Sequence, residues 1–369
     1  MSTPKHVLVV AGDPSGDEHA AALVRALKAR DSSVRITAAG GIHLQRVADR
    51  FLFSLVGVGG FGFLEPLFKL PALASALRQI TTVLAQDRPD MVIPVDYYGF
   101  NLRVAQTAHK RQIPVVYYIS PQVWASRPGR VQTLAKVLTK IMVIFPFEQA
   151  LYEKANIPVA FTGHPLLDRL PEPSSPVTPV TIGLLPGSRM GIVQRHLPIL
   201  IETATMLHAY FPEAQFLLFR PPEIPEKVYA PLIRGMTWIS LVCEETYEKR
   251  KGLSLAISVS GTASLENSLL GIPMIIMYKL SPITYAIAKR LIRVPYVAIP
   301  NILAGERIVP EYIQSDATPH KLALAAKELL LNRPLWDSTR HKLLALRKQL
   351  GQPGASDRAA EEVLALLKN

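Results

Sequence analysis

Two short segments in the second half of the chain have the composition of phosphate-binding turns: residues 184–189 (LLPGSR) and 260–266 (SGTASLE). Each joins a predicted strand to a predicted helix, an arrangement that directs free backbone N–H groups and a positive helix end toward an anion. Arg189 adds a cation to the first turn. Glu266 lies one helical turn inside the second, where its carboxylate would accept hydrogen bonds from sugar hydroxyls. Together the two turns predict a nucleotide-sugar site.

A third polar turn follows the first predicted strand, at residues 11–17 (AGDPSGD). It does not match the dinucleotide fingerprint, because it has two glycines where that motif needs three. The carboxylates of Asp13 and Asp17 would repel a phosphate, but they suit the hydroxyl groups of a sugar. The alternative is an ordinary tight turn in which Ser15 or Asp17 caps the next helix.

Asp96 comes directly after the apolar run at residues 91–95. Partial burial at such a strand end would raise the pKa of its carboxyl toward that of a working general base. The alternative is that Asp96 or Asn101 caps the helix that follows. A further turn, at residues 120–127, brings Trp124 and a cation to the same rim. The indole ring there would stack on a ligand or simply pack.

Two other segments have the composition of acyl-chain or lipid contacts. Residues 56–68 place phenylalanines and Glu65 in a glycine-rich loop, whose alternative interpretation is a loop that enters a core helix. Residues 278–297 contain lysines and arginines, no acidic residue, and isoleucines at helical spacing. This pattern predicts a basic amphipathic helix on anionic lipid, or else a core-facing stripe with its cations in solvent.

The wider pattern alternates short β-branched runs with longer amphipathic segments, which is typical of parallel strands joined by crossover helices. Four prolines in residues 171–179 exclude a helix or a sheet interior there and indicate a linker. We predict an α/β fold with two doubly wound, Rossmann-like domains that face each other across a cleft. Ligands of such sheets bind beyond the carboxyl ends of the strands.

The pattern also predicts the limits of strands and domains. The predicted strands are 7–10, 34–38, 91–95, 115–119, 141–144 and 159–161 in the first half and 182–185, 215–219, 253–258 and 274–278 in the second. Helical segments follow from about residue 319 to 367. The predicted organisation is an acceptor domain (1–170), a linker (171–180), a nucleotide-sugar domain (181–345), and a C-terminal helix (346–369) that packs back on the first domain.

Composition restricts the class of protein. The 369 residues include 41 Lys and Arg against 29 Asp and Glu, a formal charge of +12 that favours nucleic acid, anionic membrane or phosphorylated substrates as partners. No zinc-finger spacing, aromatic RNA-binding pattern or basic arm supports nucleic acid. The single cysteine, Cys243, excludes an internal disulfide framework and suits a reducing compartment. Without a leader-like segment or a clean membrane-spanning run, we expect a cytoplasmic protein.

These motifs resemble those of the lipid-A-disaccharide synthase family, which are inverting glycosyltransferases of the GT-B type. The matching segments occur in the family's order and cover nearly the whole chain. They are residues 12–17, 96–101, 120–124, 145–148, 163–165, 185–189, 260–266 and 300–305.

The resemblance implies a substrate pair and a reaction. The enzyme would transfer 2,3-diacylglucosamine from UDP-2,3-diacylglucosamine to the 6-hydroxyl of 2,3-diacylglucosamine 1-phosphate, with inversion, forming a β-1,6-linked lipid A disaccharide and UDP. No cofactor or metal is implied, because the chain has no Asp-x-Asp motif and GT-B enzymes use cations and helix ends instead. The lipid substrates imply a peripheral location on the inner face of the cytoplasmic membrane, and an oligomer is compatible with the sequence.

The resemblance also implies roles for individual residues. Asp96 is the predicted general base, and Arg189 is the predicted cation for the leaving group. The donor's UDP would be held by Ser188, Arg189, Gly261, Thr262, Ala263, Glu266 and Asn301. The acceptor side would comprise Asp13, Ser15, Asp17, Glu65, Asn101 and Trp124.

Two positions depart from the family pattern, and one of them is Asp13, where relatives have glutamate. Some members have a second aspartate where this chain has Gly99, which cannot take a proton, so Asp13, Asp17 and Glu65 compete with Asp96 for the role of base. Three alternatives follow: a UDP-N-acetylglucosamine 2-epimerase-like isomerase, a glycosyltransferase with another lipid acceptor, and a non-catalytic nucleotide-sugar-binding homologue.

Overall fold

The computed structural model describes residues 4–56, 70–126, 129–244, 246–291 and 294–368. The chain divides into two compact units, each built around one parallel sheet. The first unit comprises Met1–Asp168, Arg290–Ile292 and Leu350–Asn369, and the second comprises Arg169–Lys289 and Arg293–Gln349.

The sheet of the first unit has the strand order β3-β2-β1-β4-β5-β6-β7 in the described part of the chain. Its strands are β1 (His6–Ala11), β2 (Arg35–Gly40), β3 (Arg50–Ser54), β4 (Met91–Val95), β5 (Val116–Tyr118), β6 (Lys140–Val143) and β7 (Val159–Phe161). The helices between them are α1 (Pro14–Arg30), α2 (Ile42–Gln45), α3 (Leu70–Gln86), α4 (Tyr98–His109), α5 (Val123–Ser126), α6 (Arg130–Ala135) and α7 (Pro146–Glu153), followed by a 3-10 turn at Pro165–Asp168.

The sheet of the second unit repeats this topology with the order β10-β9-β8-β11-β12-β13 among the described residues. Its strands are β8 (Thr181–Leu185), β9 (Gln215–Arg220), β10 (Ile239–Cys243), β11 (Leu255–Val259), β12 (Met274–Tyr278) and β13 (Glu311–Ile313). Its helices are α8 (Met190–Tyr210), α9 (Ala230–Ile233), α10 (Thr262–Leu269), α11 (Pro282–Leu291), α12 (Ile299–Ala304), α13 (Pro319–Leu331) and α14 (Arg333–Gln349), with 3-10 turns at Glu226–Val228, Arg250–Gly252 and Gln314–Asp316.

The order of strands places one topological switch point in each sheet. In the first sheet the chain winds outward through β2 and β3 and then returns to the other side of β1 as β4. In the second sheet, β11 in the same way pairs with the free side of β8. A crevice opens beyond the carboxyl ends of the two strands at such a point, because the helices that follow them lie on opposite faces. These two crevices are the expected ligand sites.

The central strands form because their sequences are apolar on both faces, as a parallel sheet covered by helices requires. All six residues of β1 and all five of β4, β8 and β11 are buried. Side chains such as Leu8 and Ile257 are fully buried in their respective cores. Burial of a side chain of this size stabilises the fold by about 1.5–3 kcal/mol.

The C-terminal helix α15 (Ala355–Lys368) belongs to the first unit and packs on α1. The carboxylate of Asp168 accepts hydrogen bonds from the backbone N–H groups of Gly354 (2.6 Å), Ala355 (3.2 Å) and Ser356 (3.3 Å), and so caps the start of this helix. Arg30 of α1 pairs with acidic side chains of α15. The helix is thereby fixed to the N-terminal part of the chain.

The structure confirms the predicted α/β class with two doubly wound sheets, and each of the ten predicted strands overlaps an observed one. Three observed strands were not predicted: β3, β10 and β13. All three lie at sheet edges. Glu65 and most of the predicted acyl-binding loop lie outside the described residues. None of the helices in the described ranges combines the length and apolar composition needed to cross a membrane.

Candidate functional site

The two predicted phosphate-binding turns lie side by side in the second unit. One connects β8 to α8 and the other connects β11 to α10, and β8 pairs directly with β11. Gly187 has a φ of +115°, which favours glycine, and a Cβ atom there would lie 3.3 Å from Cγ2 of Val259 at the end of β11. A Cβ atom there would lie still closer, at 2.6 Å, to Cγ2 of Ile192, so the conformation and the packing of this turn both favour glycine. The structure brings both turns to the switch point of this sheet.

The local conformations of these turns suit an anion. Arg189 precedes the first turn of α8 with an extended backbone, and its carbonyl accepts hydrogen bonds from the N–H groups of Ile192 (3.0 Å) and Val193 (2.9 Å). Gly261 has a φ of +148°, with no atom within 4 Å of the position of a Cβ. In general, the first N–H groups of a helix have no carbonyl partner within the helix, and this property favours an anion at the start of a helix.

Glu266 lies one turn inside α10 and is mostly buried. Its Oε2 accepts a hydrogen bond from Nη1 of Arg250 (2.5 Å), and its Oε1 accepts one from the hydroxyl of Tyr247 (2.9 Å). Both partners come from the segment between β10 and β11. The sequence analysis named neither of them, because charged and aromatic residues in a connecting segment carry no local signal of such a contact.

Asn301 is fully buried in α12, and its amide is bonded within the protein. Its Nδ2 donates to the carbonyl of Val309 (2.9 Å) and to Oε1 of Glu311 (2.8 Å), and its Oδ1 accepts from the N–H groups of Ile308 (2.8 Å) and Val309 (2.9 Å). These bonds use both donors and both lone pairs of the amide. Asn301 therefore organises the backbone around α12, and its contact with the nucleotide stays a prediction.

The polar turn after β1 and the turn after β4 meet at the switch point of the first sheet. A Cβ atom at Gly12 would lie only 2.0 Å from Cδ1 of Tyr97, so the absence of a side chain lets this ring pack against the first turn. Asp13, next to Gly12, is the N-cap of α1 and accepts a hydrogen bond from the N–H of Gly16 (2.6 Å). The alternative that Ser15 or Asp17 caps α1 is wrong. Ser15 itself is exposed at the start of the helix.

Asp17 is turned toward the interior. Its carboxylate accepts hydrogen bonds from the N–H groups of Gly41 (2.6 Å), His43 (2.9 Å) and Leu44 (3.2 Å), and it is 1% exposed. It therefore fixes the start of α2, which follows β2. Its role on the acceptor side stays a prediction, and the turn after β1 presents Asp13 as its more accessible carboxylate.

Asp96 follows β4 in a left-handed backbone conformation, with φ +46°, and Tyr97 continues it with φ +47°. Such conformations cost about 1–3 kcal/mol per residue and persist only where surrounding contacts enforce them. Here Nδ2 of Asn101 donates to the carbonyls of Asp96 (2.9 Å) and Val95 (3.0 Å), and the hydroxyl of Tyr117 also donates to the Asp96 carbonyl. The backbone at this site is therefore held in an unusual conformation by buried side chains.

Asn101 is fully buried, so its observed role is to hold that backbone, and its contact with the acceptor stays a prediction. Neither Asp96 nor Asn101 caps the helix, because α4 begins after Tyr97 without a side-chain cap, and that alternative is wrong. Gly99 lies in the first turn of α4, where no atom lies within 4 Å of the position of a Cβ. Among the described residues, this position thus has room for a larger side chain.

The pKa of the Asp96 carboxyl is suited to proton transfer. Its pKa is raised to about 7, first by burial and then by the negative charges of Asp13 and, more weakly, Glu148, whereas the hydrogen bond from the Tyr97 N–H opposes the rise. A group with this pKa exists in both protonation states near neutral pH, which is the condition for general acid–base catalysis. The strand end that the sequence singled out therefore has the chemistry expected of a base.

Glu148, in the first turn of α7, is a second buried carboxyl that was not predicted as a site residue. It accepts hydrogen bonds from the hydroxyl of Ser120, from Nε1 of Trp124 (3.0 Å) and from the N–H of Phe145 (3.2 Å). Burial raises its pKa to about 7, although these hydrogen bonds oppose the rise. The structure thus anchors Trp124 through a carboxyl, while the ring of Phe147 stands edge-on to the indole. A glutamate three residues after the N-cap position of a helix, here Phe145, was the available sequence signal.

The chain matches known proteins over nearly its whole length. A family model described as lipid-A-disaccharide synthetase matches residues 7–366. Proteins named lipid-A-disaccharide synthase from Geobacter sulfurreducens and Syntrophus aciditrophicus are 35% and 37% identical, and each alignment covers 99% of this chain and 98% of the relative.

Solved structures show the same architecture at lower sequence identity. The glycosyltransferase of kitacinnamycin has a TM-score of 0.67 at 17% identity, with 99% of this chain and 100% of that chain covered. A UDP-GlcNAc 2-epimerase from Neisseria meningitidis, solved with UDP-GlcNAc bound, has a TM-score of 0.65 at 13% identity, covering 98% and 100%. These likenesses show the fold, which is of the GT-B type, whereas the curated relatives favour the synthase over the epimerase. The chain belongs to the lipid-A-disaccharide synthase family and is, like its members, a glycosyltransferase.

Proposed function

We propose that this protein transfers 2,3-diacylglucosamine from UDP-2,3-diacylglucosamine to the 6-hydroxyl of 2,3-diacylglucosamine 1-phosphate, with inversion at the anomeric carbon. The products are the β-1,6-linked disaccharide and UDP. Family membership supports the reaction. The observation on which the residue-level proposal rests is the carboxyl of Asp96, whose pKa is raised to about 7 at the carboxyl end of β4.

In the proposed reaction Asp96 acts as the general base of the first unit. With its pKa raised to about 7, this carboxyl is present in both protonation states near neutral pH. The ionised form takes the proton of the acceptor's 6-hydroxyl while that oxygen attacks the anomeric carbon. The bond from this carbon to the diphosphate oxygen breaks, and its electron pair leaves with UDP. Asp96 ends the step protonated and returns its proton to solvent.

The second unit holds the leaving group in this proposal. Arg189, the Ser188 hydroxyl and the N–H groups of residues 261–263 stabilise the charge that develops on the diphosphate. Glu266 accepts hydrogen bonds from the ribose, and Asn301 shapes the backbone beside it. No metal or cofactor enters the proposal, because cationic and amide groups of this chain can stabilise the departing charge.

On the acceptor side we propose contacts with Asp13, Ser15 and Trp124. Asp17 and Asn101 act behind them, because backbone groups occupy the carboxylate of Asp17 and the amide nitrogen of Asn101. Glu65 remains a candidate contact from the sequence alone.

We also propose a peripheral location on the inner face of the cytoplasmic membrane, since both substrates are lipids. The formal charge of +12 would add attraction to an anionic surface. Cosedimentation with phosphatidylglycerol vesicles should then fall as salt rises from low to high concentration, because screening weakens that attraction. Cosedimentation that ignores both salt and lipid charge would count against the electrostatic part.

The deciding experiment measures UDP release from the diacylated donor with and without the diacylated acceptor. We expect release only with the acceptor, and equal rates with and without EDTA. Asp96→Asn should lose at least about a hundredfold in turnover, the range of a general base, while calorimetry shows nearly unchanged affinity for UDP. The matched control is Asp87→Asn, which neutralises an aspartate paired with Arg50 on the surface of the same unit. Release of UDP without acceptor, or normal turnover of the Asp96 variant, would refute the proposal.

A further inference from the structure

A charged cluster surrounds Glu266 in the second unit. It consists of Glu266, Arg250, Tyr247 and Glu244, and the side chains of its three charged residues are between 8% and 14% exposed. Arg250 forms ion pairs with both Glu244 and Glu266. Its guanidinium carbon also lies 5.2 Å from the ring centroid of Tyr247 and 5.4 Å from that of Phe219. One guanidinium is thus enclosed by two carboxylates and two aromatic rings.

The charges within the cluster depend on one another. Burial alone would lower the pKa of Arg250, but the adjacent carboxylates of Glu266 and Glu244 outweigh it and raise this pKa. Burial raises the pKa of Glu244, against the attraction of Arg250. With two carboxylates and one guanidinium, the cluster retains one negative charge when all three residues are ionised. Removal of Arg250 would leave both carboxylate charges without compensation in a poorly solvated place.

The hydrogen bonds from Tyr247 and Arg250 orient the carboxylate of Glu266 and use only part of its acceptor capacity. Each carboxylate oxygen has two lone pairs, and Oε1 and Oε2 each accept one bond, from Tyr247 and Arg250 respectively. Among the contacts of the described residues, one lone pair on each oxygen remains for a ligand. Because both oxygens are tied, the plane of the carboxylate is fixed before any ligand arrives, which reduces the entropy lost on binding.

Stability alone is a weak reason for this arrangement. Buried ion pairs contribute little net stability, since desolvation offsets much of their attraction, and what they fix is geometry. The cluster also leaves polar atoms unsatisfied: Nε of Arg250 and Oε1 of Glu244 are buried and have no hydrogen-bond partner among the described residues. A cluster that served folding alone would gain from an apolar replacement.

We propose that Arg250 and Tyr247 are positioning residues that hold the carboxylate of Glu266 oriented to accept hydrogen bonds from the ribose hydroxyls of UDP. This inference rests on the proposed function, because it takes UDP as the ligand of the second unit. It assigns selectivity for a ribonucleotide to a segment outside the two phosphate-binding turns. Neither positioning residue needs to touch the nucleotide.

The test compares the affinities of UDP and 2′,3′-dideoxyuridine 5′-diphosphate by calorimetry on the full chain. The wild type should prefer UDP by about tenfold or more, the factor expected when hydroxyls donate to a charged acceptor. Arg250→Met should reduce that preference to near one, with most of the change in the affinity for UDP. Tyr247→Phe, which removes a single hydroxyl, should reduce it partly and keeps the test valid should the arginine variant fail to fold.

The matched control is Arg340→Met. Arg340 is a half-buried arginine of the same unit whose guanidinium donates to the carbonyls of Gly271 (2.7 Å) and Ser174 (2.8 Å). Its replacement should lower the melting temperature and leave the preference for UDP unchanged. Equal losses for both nucleotides in the Arg250 and Tyr247 variants would assign a merely structural role and overturn the inference.

Two results on the wild type separate the inference from the function on which it rests. Binding of UDP without any preference over the dideoxy analogue would overturn the inference and leave the proposed function intact. A wild type that binds neither nucleotide would instead overturn the proposed function.

Discussion

Replacement of Asp13 by Asn should move the pH dependence of turnover to lower pH. The substitution removes a negative charge near Asp96 with almost no change of shape. It also preserves local structure, because Asp13 caps α1 by accepting from the N–H of Gly16 (2.6 Å), and the amide oxygen of Asn is an equally good cap. Any effect on the pH profile can therefore be read as an electrostatic one.

The relative importance of burial and of the charge of Asp13 in raising the pKa of Asp96 determines how far the midpoint should move. The pKa of Asp96 rises from 3.8 to about 7 mainly through burial, which the substitution leaves in place, and secondly through the charge of Asp13. A nearby like charge typically contributes about one pH unit. With that charge gone, the ionised form of Asp96 becomes easier to form, so its pKa falls. The midpoint of the rising limb should then move from about 7 to roughly 6.

The assay is kcat/KM for UDP release between pH 5 and pH 9, because this parameter reports the ionisation of the free enzyme. Asp49→Asn is the matched control, since Asp49 also accepts from a backbone N–H, that of Ile36 (2.7 Å), but pairs with Lys28. Its midpoint should equal that of the wild type. A midpoint that stays in place or rises in the Asp13 variant would refute the assignment of Asp96 as the base that senses Asp13.

Three further predictions concern stability and the same site. The pKa of Glu148 is raised from 4.5 to about 7, so its contribution to the free energy of unfolding is fully present below pH 4.5 and is lost as pH rises through 7. In urea unfolding, the wild type should therefore lose about 3 kcal/mol more of this free energy than Glu148→Gln between pH 4.5 and 8. The same dependence on pH in both proteins would contradict this prediction. Gly12→Ala should cost about 1–3 kcal/mol by overpacking against Tyr97, whereas Gly99→Ala, with open space around its Cβ, should cost nothing measurable in the same titration. Gly99→Asp should fold normally. Its added negative charge, in the turn after Asp96, should raise the pKa of Asp96 and shift the rising limb of the pH profile to higher pH, opposite to the Asp13 variant. A shift to lower pH would exclude the proximity of the two carboxylates.

The sequence predicted the central strands better than the edges of the sheets. β1, β4, β8 and β11 are predominantly apolar and fully buried, as strands covered on both faces must be. The strands that were not predicted, β3, β10 and β13, are edge strands with partly exposed side chains. Their sequences lack a strong periodic signal, and it is pairing with a neighbouring strand that makes them strands.

The sequence also located the turns at which chemistry is expected, since glycine, serine and carboxylate residues after apolar runs are a local signal. It did not show which polar side chains face inward. Asn101 donates to the carbonyl of Val95 and, weakly, to that of Val10, 91 residues earlier. Asp17 binds N–H groups 24 to 27 residues later in the chain. Such partners are set by the folded backbone and leave no pattern in the nearby sequence.

The sequence by itself therefore determined the α/β class, the two doubly wound sheets and the strand ends that carry Asp96 and Arg189. The tertiary structure alone decided that the turns meet in pairs at the switch points, that burial and Asp13 raise the pKa of Asp96 to about 7, and that Arg250 holds Glu266. The physical reason is the separation along the chain between the residues that interact. Backbone conformation and apolar periodicity are encoded by neighbours in the chain, whereas desolvation, charge coupling and hydrogen-bond partners depend on residues that only folding brings together.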